Sequence, residues 1–445
     1  MASRKELNKR YKQLRVADMD LLNDTLCEED SYHRYKRCVK EKLLQNMANN
    51  EYLDDDAFMK LIYSIVRQES ETVDAIDENE ALDISKRIFQ SIRQNDVIQD
   101  LLDDDTISEI MINGYDSIFV ERNGQLELSD KKFDSNMRLQ DVIQKMVSQV
   151  NRMVNEASPI VDARLLDGSR INVVLPPVSI DGPIVTIRKF PKKPISMDKL
   201  VELGSITNEV KEFLEKLIKA KYNIFISGGT GCGKTTFLNA LSDFIPKDER
   251  IITIEDSAEL QISNIPNTVR LEVRNANVEG KKEVTIRELI KSALRMRPSR
   301  IIVGEIRDAA AIDLLDAYNT GHDGSLSTGH ANSASDMLSR LESMVLMGTE
   351  MPINVIRKKI TSAIDIVVHI GRLRDKSRSV LEISEVIGMD EKDGIILNKL
   401  YEFKEVDEDN CVESYDSNYS KIGRIVKTNN NLRNKNKLQK AGIKL

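Results

Sequence analysis

The stretch ISGGTGCGKTTFLNAL, from Ile226 to Leu241, places Gly228, Gly233, Lys234 and Thr235 in the spacing G-x-x-x-x-G-K-S/T. Each residue type has a reason to be there. Glycines let the backbone wrap closely around phosphate oxygens. The amides that open the following helix point at the anion, and the helix dipole adds roughly half a positive charge at that end. A lysine at this spacing reaches β- and γ-phosphates, and the threonine hydroxyl can hold Mg²⁺. Gly228, Gly229, Thr230, Gly231, Cys232, Gly233, Lys234, Thr235 and Thr236 are therefore the candidate nucleotide-binding residues. The side chain of Cys232 is expected to act as a spacer pointing away from the ligand.

Three further clusters bear on whether a bound nucleotide would be hydrolysed. RIIVGEIRD, Arg300 to Asp308, reads as a buried strand ending in Gly304-Glu305. A carboxylate at the C-terminal end of a strand in an open sheet lies by the ligand crevice, where Glu305 could order the Mg²⁺ shell, through water, or the attacking water. IITIEDSAEL puts Glu255, Asp256 and Glu259 after another apolar strand. Acids beside an anionic substrate are unfavourable unless a cation or a proton-transfer role offsets them, and Glu255 is the candidate for polarising water. GHDGSLSTGHANSASDMLSRL carries His322 and His330 in a Gly/Ser/Thr-rich run that reads as a flexible loop able to sense a γ-phosphate. Arginines complete the set, because phosphoryl transfer is catalysed largely by positioning and charge. The candidates are Arg164, Arg170 and Arg188 ahead of the phosphate loop, and Arg270, Arg274 and Arg287 after the acidic cluster.

These residues need a scaffold, and the chain supplies the pattern of one. Residues 1–95 are dense in charge, contain no Gly or Pro, and show apolar residues at helical spacing in DAFMKLIYSIVRQ and ALDISKRIFQSIRQ. They predict a helical N-terminal region. Residues 96–190 predict an α+β domain. ISEIMINGYDSIFVERNGQLEL alternates apolar residues around turns at Asn113-Gly114 and Asn123-Gly124, LQDVIQKMVSQVNRMV is a helix, and PIVDARLLDGSRINVVLPPVSIDGPIVTIRKF gives two strands around a Pro-rich turn. Residues 191–207 read as a linker. From 208 to about 400 helices and strands alternate, the signature of an α/β fold with a largely parallel sheet. Residues 401–445 form a C-terminal extension. It has no acidic residue after Asp416, so its end reads as a basic tail, either disordered or docked on an acidic surface.

Composition narrows the function classes. Sixty-five Lys and Arg face 72 Asp and Glu, a formal charge of −7, with no Trp and 5% aromatic residues. That disfavours a nucleic-acid-gripping surface. No apolar run approaches the roughly 18 residues that span a bilayer, and the basic N-terminus has no apolar segment behind it. The four cysteines, Cys27, Cys38, Cys232 and Cys411, make no CxxC pair, so neither a zinc site nor a disulfide framework is indicated.

Taken in order, the phosphate loop GGTGCGKTT, the acidic box ITIEDSAEL, the strand-end motif IIVGEIRD and the His box GHDGSLSTGHANS resemble the signatures of the type II/type IV secretion and pilus ATPases. SEIMINGYDSIFVERNG, DGSRINVVLPPVSIDGPIVTIRKF and NTGHDGSLSTGHANSASDMLSRLESMV are most similar to the Tad/Flp pilus assembly (CpaF-like) branch, and the resemblance covers about residues 95–390. It implies a RecA-like P-loop ATPase domain behind an α+β (PAS-like) domain, ATP and Mg²⁺ as cofactors, and a homo-oligomer in the form of a hexameric ring. It implies a cytoplasmic protein, peripheral to the inner face of the cell membrane through a platform protein of a pilus or secretion system. By the same resemblance Glu305 is the Walker B carboxylate, Glu255 the acidic-box base, His330 the second His-box histidine, and Arg170 and Arg188 the arginines that close onto the γ-phosphate. Arg270 and Arg274 match more loosely. The tetracysteine zinc module of the type II branch is missing here. The alternatives left open are a RecA-like motor that translocates nucleic acid and a scaffold that binds ATP without turning it over.

Overall fold

The computed structural model describes residues 31–46, 53–70, 76–122, 124–190, 194–274, 283–405 and 422–445. Cys27, Cys411 and the first 30 residues of the helical region lie outside them. The chain divides into two compact units, Met1–Lys189 and Phe190–Leu445.

The first unit opens with three helices, α1 (Ser31–Asn46), α2 (Asp55–Ser70) and α3 (Glu78–Arg93). Phe58, Ile62, Ile65 and Val66 of α2 meet Ala81, Ile84, Ile88 and Phe89 of α3, the spacing that puts one stripe of a helix against its neighbour. Asp77 caps α3 by accepting the Glu80 amide. A short helix α4 (Gln99–Asp103) leads into a sheet of β1 (Ile107–Asn113), β2 (Ile118–Arg122), β3 (Gln125–Leu128), β4 (Ile160–Arg164), β5 (Arg170–Val174) and β6 (Ile184–Arg188). The order is β3-β2-β1-β6-β5-β4, and every pairing is antiparallel. Helix α5 (Asn136–Ser148) buries Leu139, Val142, Ile143 and Met146 in the core of this sheet. Where two strands were expected around the Pro-rich turn, there are three. Asp167-Gly168 makes an additional hairpin turn between β4 and β5, with Gly168 at φ +92°. The helices are tied to the sheet domain: Arg138 of α5 pairs with buried Asp96, and Lys145 donates to Gln94 O at 2.7 Å.

The second unit contains α6 (Met197–Glu202), α7 (Asn208–Lys219), β7 (Ile224–Gly228), α8 (Lys234–Ser242), β8 (Ile251–Glu255), β9 (Thr268–Glu272), α9 (Ile286–Ala293), β10 (Arg300–Val303), α10 (Ala311–Asn319), β11 (Leu326–Gly329), α11 (Ala334–Gly348), α12 (Ile353–Ala363), β12 (Ile366–Arg372), β13 (Arg378–Met389), β14 (Ile395–Glu405), β15 (Gly423–Lys427) and α13 (Asn436–Lys440). Nine strands form one sheet in the order β15-β14-β13-β12-β7-β11-β10-β8-β9. The six from β12 to β9 run parallel to one another, and β13, β14 and β15 extend the sheet antiparallel. One apolar cluster, built on α6, α7, α8 and the C-terminal segment, and a second, built on α9 to α12, cover the two faces. Burial on both faces is why β7, β8 and β10 read as unbroken apolar runs. This is the α/β, RecA-like P-loop architecture that the motifs imply.

Three boundaries differ from expectation. The 191–207 stretch holds α6, capped by Ser196, with Met197 and Leu200 buried in the unit's core. β14 runs through the expected break at residue 400. The basic tail is neither free nor docked elsewhere. β15 pairs with β14, Leu432 and Leu438 are buried, and the amides of Arg433 and Asn434 donate to the buried carboxylate of Glu385.

The charged side chain of Arg300 lies fully inside. Arg300 opens β10 and binds Glu249 through two parallel bonds of 2.7 and 2.8 Å, while its third nitrogen reaches the carbonyls of Ile218 and Gly324. Gly324 has φ +82°, and a Cβ there would meet the guanidinium at 2.5 Å. Removing one member of such a pair strands the other charge. Arg300→Ala is therefore expected to destabilise the second unit by about 3–5 kcal/mol in urea unfolding, and adding Glu249→Leu should recover part of that loss.

Candidate active site

Parallel neighbours β7, β11, β10 and β8 bring their C-terminal ends to one edge of the sheet. Each carries a residue singled out in the sequence. Lys234 follows β7 through the phosphate loop, His330 follows β11 directly, Glu305 lies two residues beyond β10, and Glu255 ends β8.

The phosphate loop is shaped by close approach. A Cβ on Gly228 would come within 2.3 Å of the Ile370 carbonyl oxygen and 2.6 Å of Cys232 Sγ. Gly231 and Gly233 take φ of +71° and +96°, in the left-handed region that favours glycine. Gly233 caps α8, and Lys234, Thr235 and Thr236 form its first turn. Gly229, Thr230 and Gly231 are exposed, whereas Cys232 is buried beneath the loop, where burial pushes its thiol pKa up. Lys234 Nζ donates to the carbonyls of Gly228 at 3.1 Å and Gly229 at 2.9 Å, and lies 3.2 Å from His330 Nδ1.

His330 links the loop to the acids. Its Nε2 is 2.7 Å from Glu305 Oε1. An ammonium can only donate, so Nδ1 accepts from Lys234 and Nε2 carries the proton that faces the carboxylate. Burial lowers the His330 pKa, Glu305 opposes that shift, and Lys234 reinforces it. Glu305 Oε2 accepts from Arg307 Nη2 at 2.6 Å, and Arg307 also faces Asp256 at 3.5 Å.

Glu255 has a different environment. It is 3% exposed, and Oε1 accepts the amides of Glu259 and Leu260, each at 2.8 Å. Its Oε2 is buried and has no hydrogen-bond partner among the described residues. Burial outweighs the two amide bonds and the charge of Arg270, and raises the carboxyl to a pKa of about 7. Gly304 makes room for it, since a Cβ there would lie 2.9 Å from Glu255 Cγ.

The other predicted residues separate into groups. Arg270 is exposed on β9 opposite Thr253, and Arg274 forms a backbone bridge with Val284 just beyond that strand. Arg287 pairs with Asp313 at 2.7 Å. The Gly/Ser/Thr run is not a flexible loop. Its LSTG segment is β11, buried between β7 and β10, where small residues fit, and a Cβ on Gly329 would meet Met337 at 2.8 Å. The strand sets the two histidines at opposite ends: His322 lies 3.1 Å from Ala317 O before it, His330 after it.

In the first unit, Arg164, Arg170 and Arg188 stand directly opposite one another across β4, β5 and β6, and the row continues through Glu109 and Glu121. Like charges placed opposite each other destabilise a sheet.

Two residues near the site escaped the sequence reading. Arg307 could have been found from its place two residues after Glu305. Arg378 has no local signal, since only the pairing of β12 with β7 and β13 brings its Cδ within 3.6 Å of a Cβ position on Gly233.

The profile of the family described as Type II/IV secretion system protein matches residues 92–441. A Mycobacterium tuberculosis protein provisionally named for conjugal transfer is 33% identical over 294 residues, 65% of this chain and 83% of that protein. The conjugal transfer protein TrbB of Rhizobium radiobacter is 35% identical over 291 residues, 64% and 86% of the two chains. The type IV secretion system protein VirB11 of Brucella suis is 32% identical over 299 residues, 60% and 82%. A crystal structure of the Brucella suis VirB11 ATPase with sulphate aligns at a TM-score of 0.37 and 29% identity, over 65% of this chain and 92% of that one.

Glu255 gives a prediction with two readouts. Between its ordinary pKa of 4.5 and the folded value of about 7, the folded chain holds a proton that the unfolded chain releases. Glu255 thus makes stability fall as pH rises through that window. Glu255→Gln should gain on the wild type in urea unfolding as pH goes from 5 to 8. A base must be deprotonated to act, so wild-type kcat/KM for phosphate release should rise through an apparent pKa near 7. The variant should lose that limb along with about 10²–10⁴-fold in rate.

Proposed function

Because the chain belongs to the type II/IV secretion system protein family, we propose that this P-loop ATPase is a ring-forming motor that powers Tad/Flp-type pilus assembly. The broader assignment, an ATPase of a secretion or pilus system, rests on the family match over residues 92–441. The narrower one rests on the branch-like stretches around Gly114, Gly168 and the His box. The observation that carries the hydrolytic reading is the gathering of Lys234, His330, Glu305 and Glu255 at one edge of four adjacent parallel strands.

In this reading Lys234 and the loop amides hold the β- and γ-phosphates. Glu255, with one oxygen fixed by two amides and the other buried and without a hydrogen-bond partner among the described residues, takes the proton of the attacking water. Arg307 holds one oxygen of Glu305, and His330 faces the other. The Thr235 hydroxyl and the Glu305 carboxylate are hard oxygen donors that suit Mg²⁺, which when bound neutralises charge on the phosphates. Arg170 and Arg188 close onto the γ-phosphate, and the anion relieves the like-charge row across β5 and β6. Arg270 and Arg274, beside the acidic cluster, complete the positive lining. Opening and closing of the first unit on hydrolysis drives an inner-membrane platform protein from the cytoplasmic side.

Lys234→Ala should lose nucleotide binding in calorimetry. Glu305→Gln should bind ATP but hydrolyse it at least a hundredfold more slowly, and normal turnover in that variant would remove Glu305 from the mechanism. Light scattering and ATPase rate, followed together against protein concentration, test the ring. The rate should climb as the oligomer forms and collapse in Arg188→Ala. A concentration-independent rate insensitive to Arg188→Ala would rule out the ring motor.

A further inference from the structure

We propose that Arg378 is a nucleotide-contacting residue that holds the α- and β-phosphates from the flank of the phosphate loop opposite the catalytic acids. The inference rests on the phosphate-loop reading above and adds to it a residue from outside the loop. The sheet order fixes two flanks. On one side of β7 lie β11, β10 and β8, which carry His330, Glu305 and Glu255; on the other lie β12 and β13. β12 runs beside β7 with Ile370 level with Gly228, and turns back through residues 373–377 into β13. That hairpin delivers Arg378, the first residue of β13, to the loop.

Three observations place its charge there. Its Cδ lies 3.6 Å from where a Cβ on Gly233 would be, so the stem of the side chain crosses the residue that caps α8. Its charge reaches the buried Cys232 thiol within the loop. The side chain is exposed, and among the described residues its guanidinium has no hydrogen-bond or ion-pair partner. Three other arginines of the unit are committed: Arg307 to Glu305, Arg357 to Glu342, Arg300 to Glu249. An unpartnered guanidinium over the amide-lined start of a helix is poised for a phosphate oxygen, and its planar fork suits bidentate contact. The hydrolytic residues mark the γ-phosphate side. Arg378, on the far flank, therefore meets the part of the phosphate chain that ADP and ATP share.

The test is ADP and ATP binding by calorimetry, with steady-state kinetics, for wild type, Arg378→Ala, Arg378→Lys and Lys234→Ala. Loss of a charged hydrogen-bond donor should weaken ADP and ATP equally, by roughly tenfold or more in Arg378→Ala. KM should carry the loss, the salt dependence of Kd should flatten, and Arg378→Lys, which keeps the charge but not the fork, should recover only part of the affinity. ADP affinity within about twofold of wild type in Arg378→Ala would overturn the proposal, as would a loss confined to kcat. Thermal melting of each variant separates misfolding from lost contact, because a fold defect would not track charge. If Lys234→Ala binds ADP as tightly as wild type, it is the phosphate-loop reading that fails, whatever Arg378 does.

Discussion

The carbonyl oxygen of Ile370 occupies the space in which a side chain on Gly228 would begin. Much of the second unit follows from that contact. It lets β12 pair with β7 up to the last residue of the strand, so the phosphate loop rises from between two parallel neighbours rather than from an edge. The loop then turns back over Cys232, whose buried sulfur fills the gap under it, and two glycines with positive φ bring the chain into α8. Any larger residue at 228 would push β12 away and move the β12–β13 hairpin with it. The loop's backbone geometry and the position of Arg378 are thus set by one missing methyl group.

The acids beside the loop solve a common problem in two ways. Carboxylates held near an anionic substrate repel it and each other. Glu305 is offset by the charge of Arg307 on one oxygen and faces the Nε2 proton of neutral His330 with the other. Glu255 is offset by a proton, because burial raises its pKa to about 7. Two carboxyl groups whose environments push their pKa values apart can take different roles in one reaction. Here the geometry separates an anchored carboxylate from a group that exchanges a proton near neutral pH.

The sequence made the parallel strands and the phosphate loop legible because their requirements are local. β7, β8 and β10 are short apolar runs, and the glycine spacing announces a tight turn. β11 was hidden because its residues are small and polar. LSTG is a strand only because β7 and β10 flank it and α11 packs above, information that lies about a hundred residues away in β7. The C-terminal segment misled for a similar reason. Its Asn-rich composition suggests solvent, yet its backbone amides answer a carboxylate buried in β13, Glu385, that cannot be matched to them along the chain. Glu255 and Glu305 could be proposed from strand ends, whereas the orphaned oxygen of one and the histidine contact of the other needed coordinates.

The path of that C-terminal segment also decides what the edge of the sheet exposes. Among the described residues the nine-stranded sheet ends in β9 on one side and β15 on the other, each only five residues long. β14, just inside, is eleven residues long. If β15 peeled away, its partner would present a long open ladder of amides and carbonyls, a template for backbone pairing between molecules. β15 covers the Tyr401–Glu405 part of that ladder and shows solvent a short edge carrying Arg424 and Lys427, which resists further strand addition. The strand guards that part of the sheet edge against fusion with another sheet.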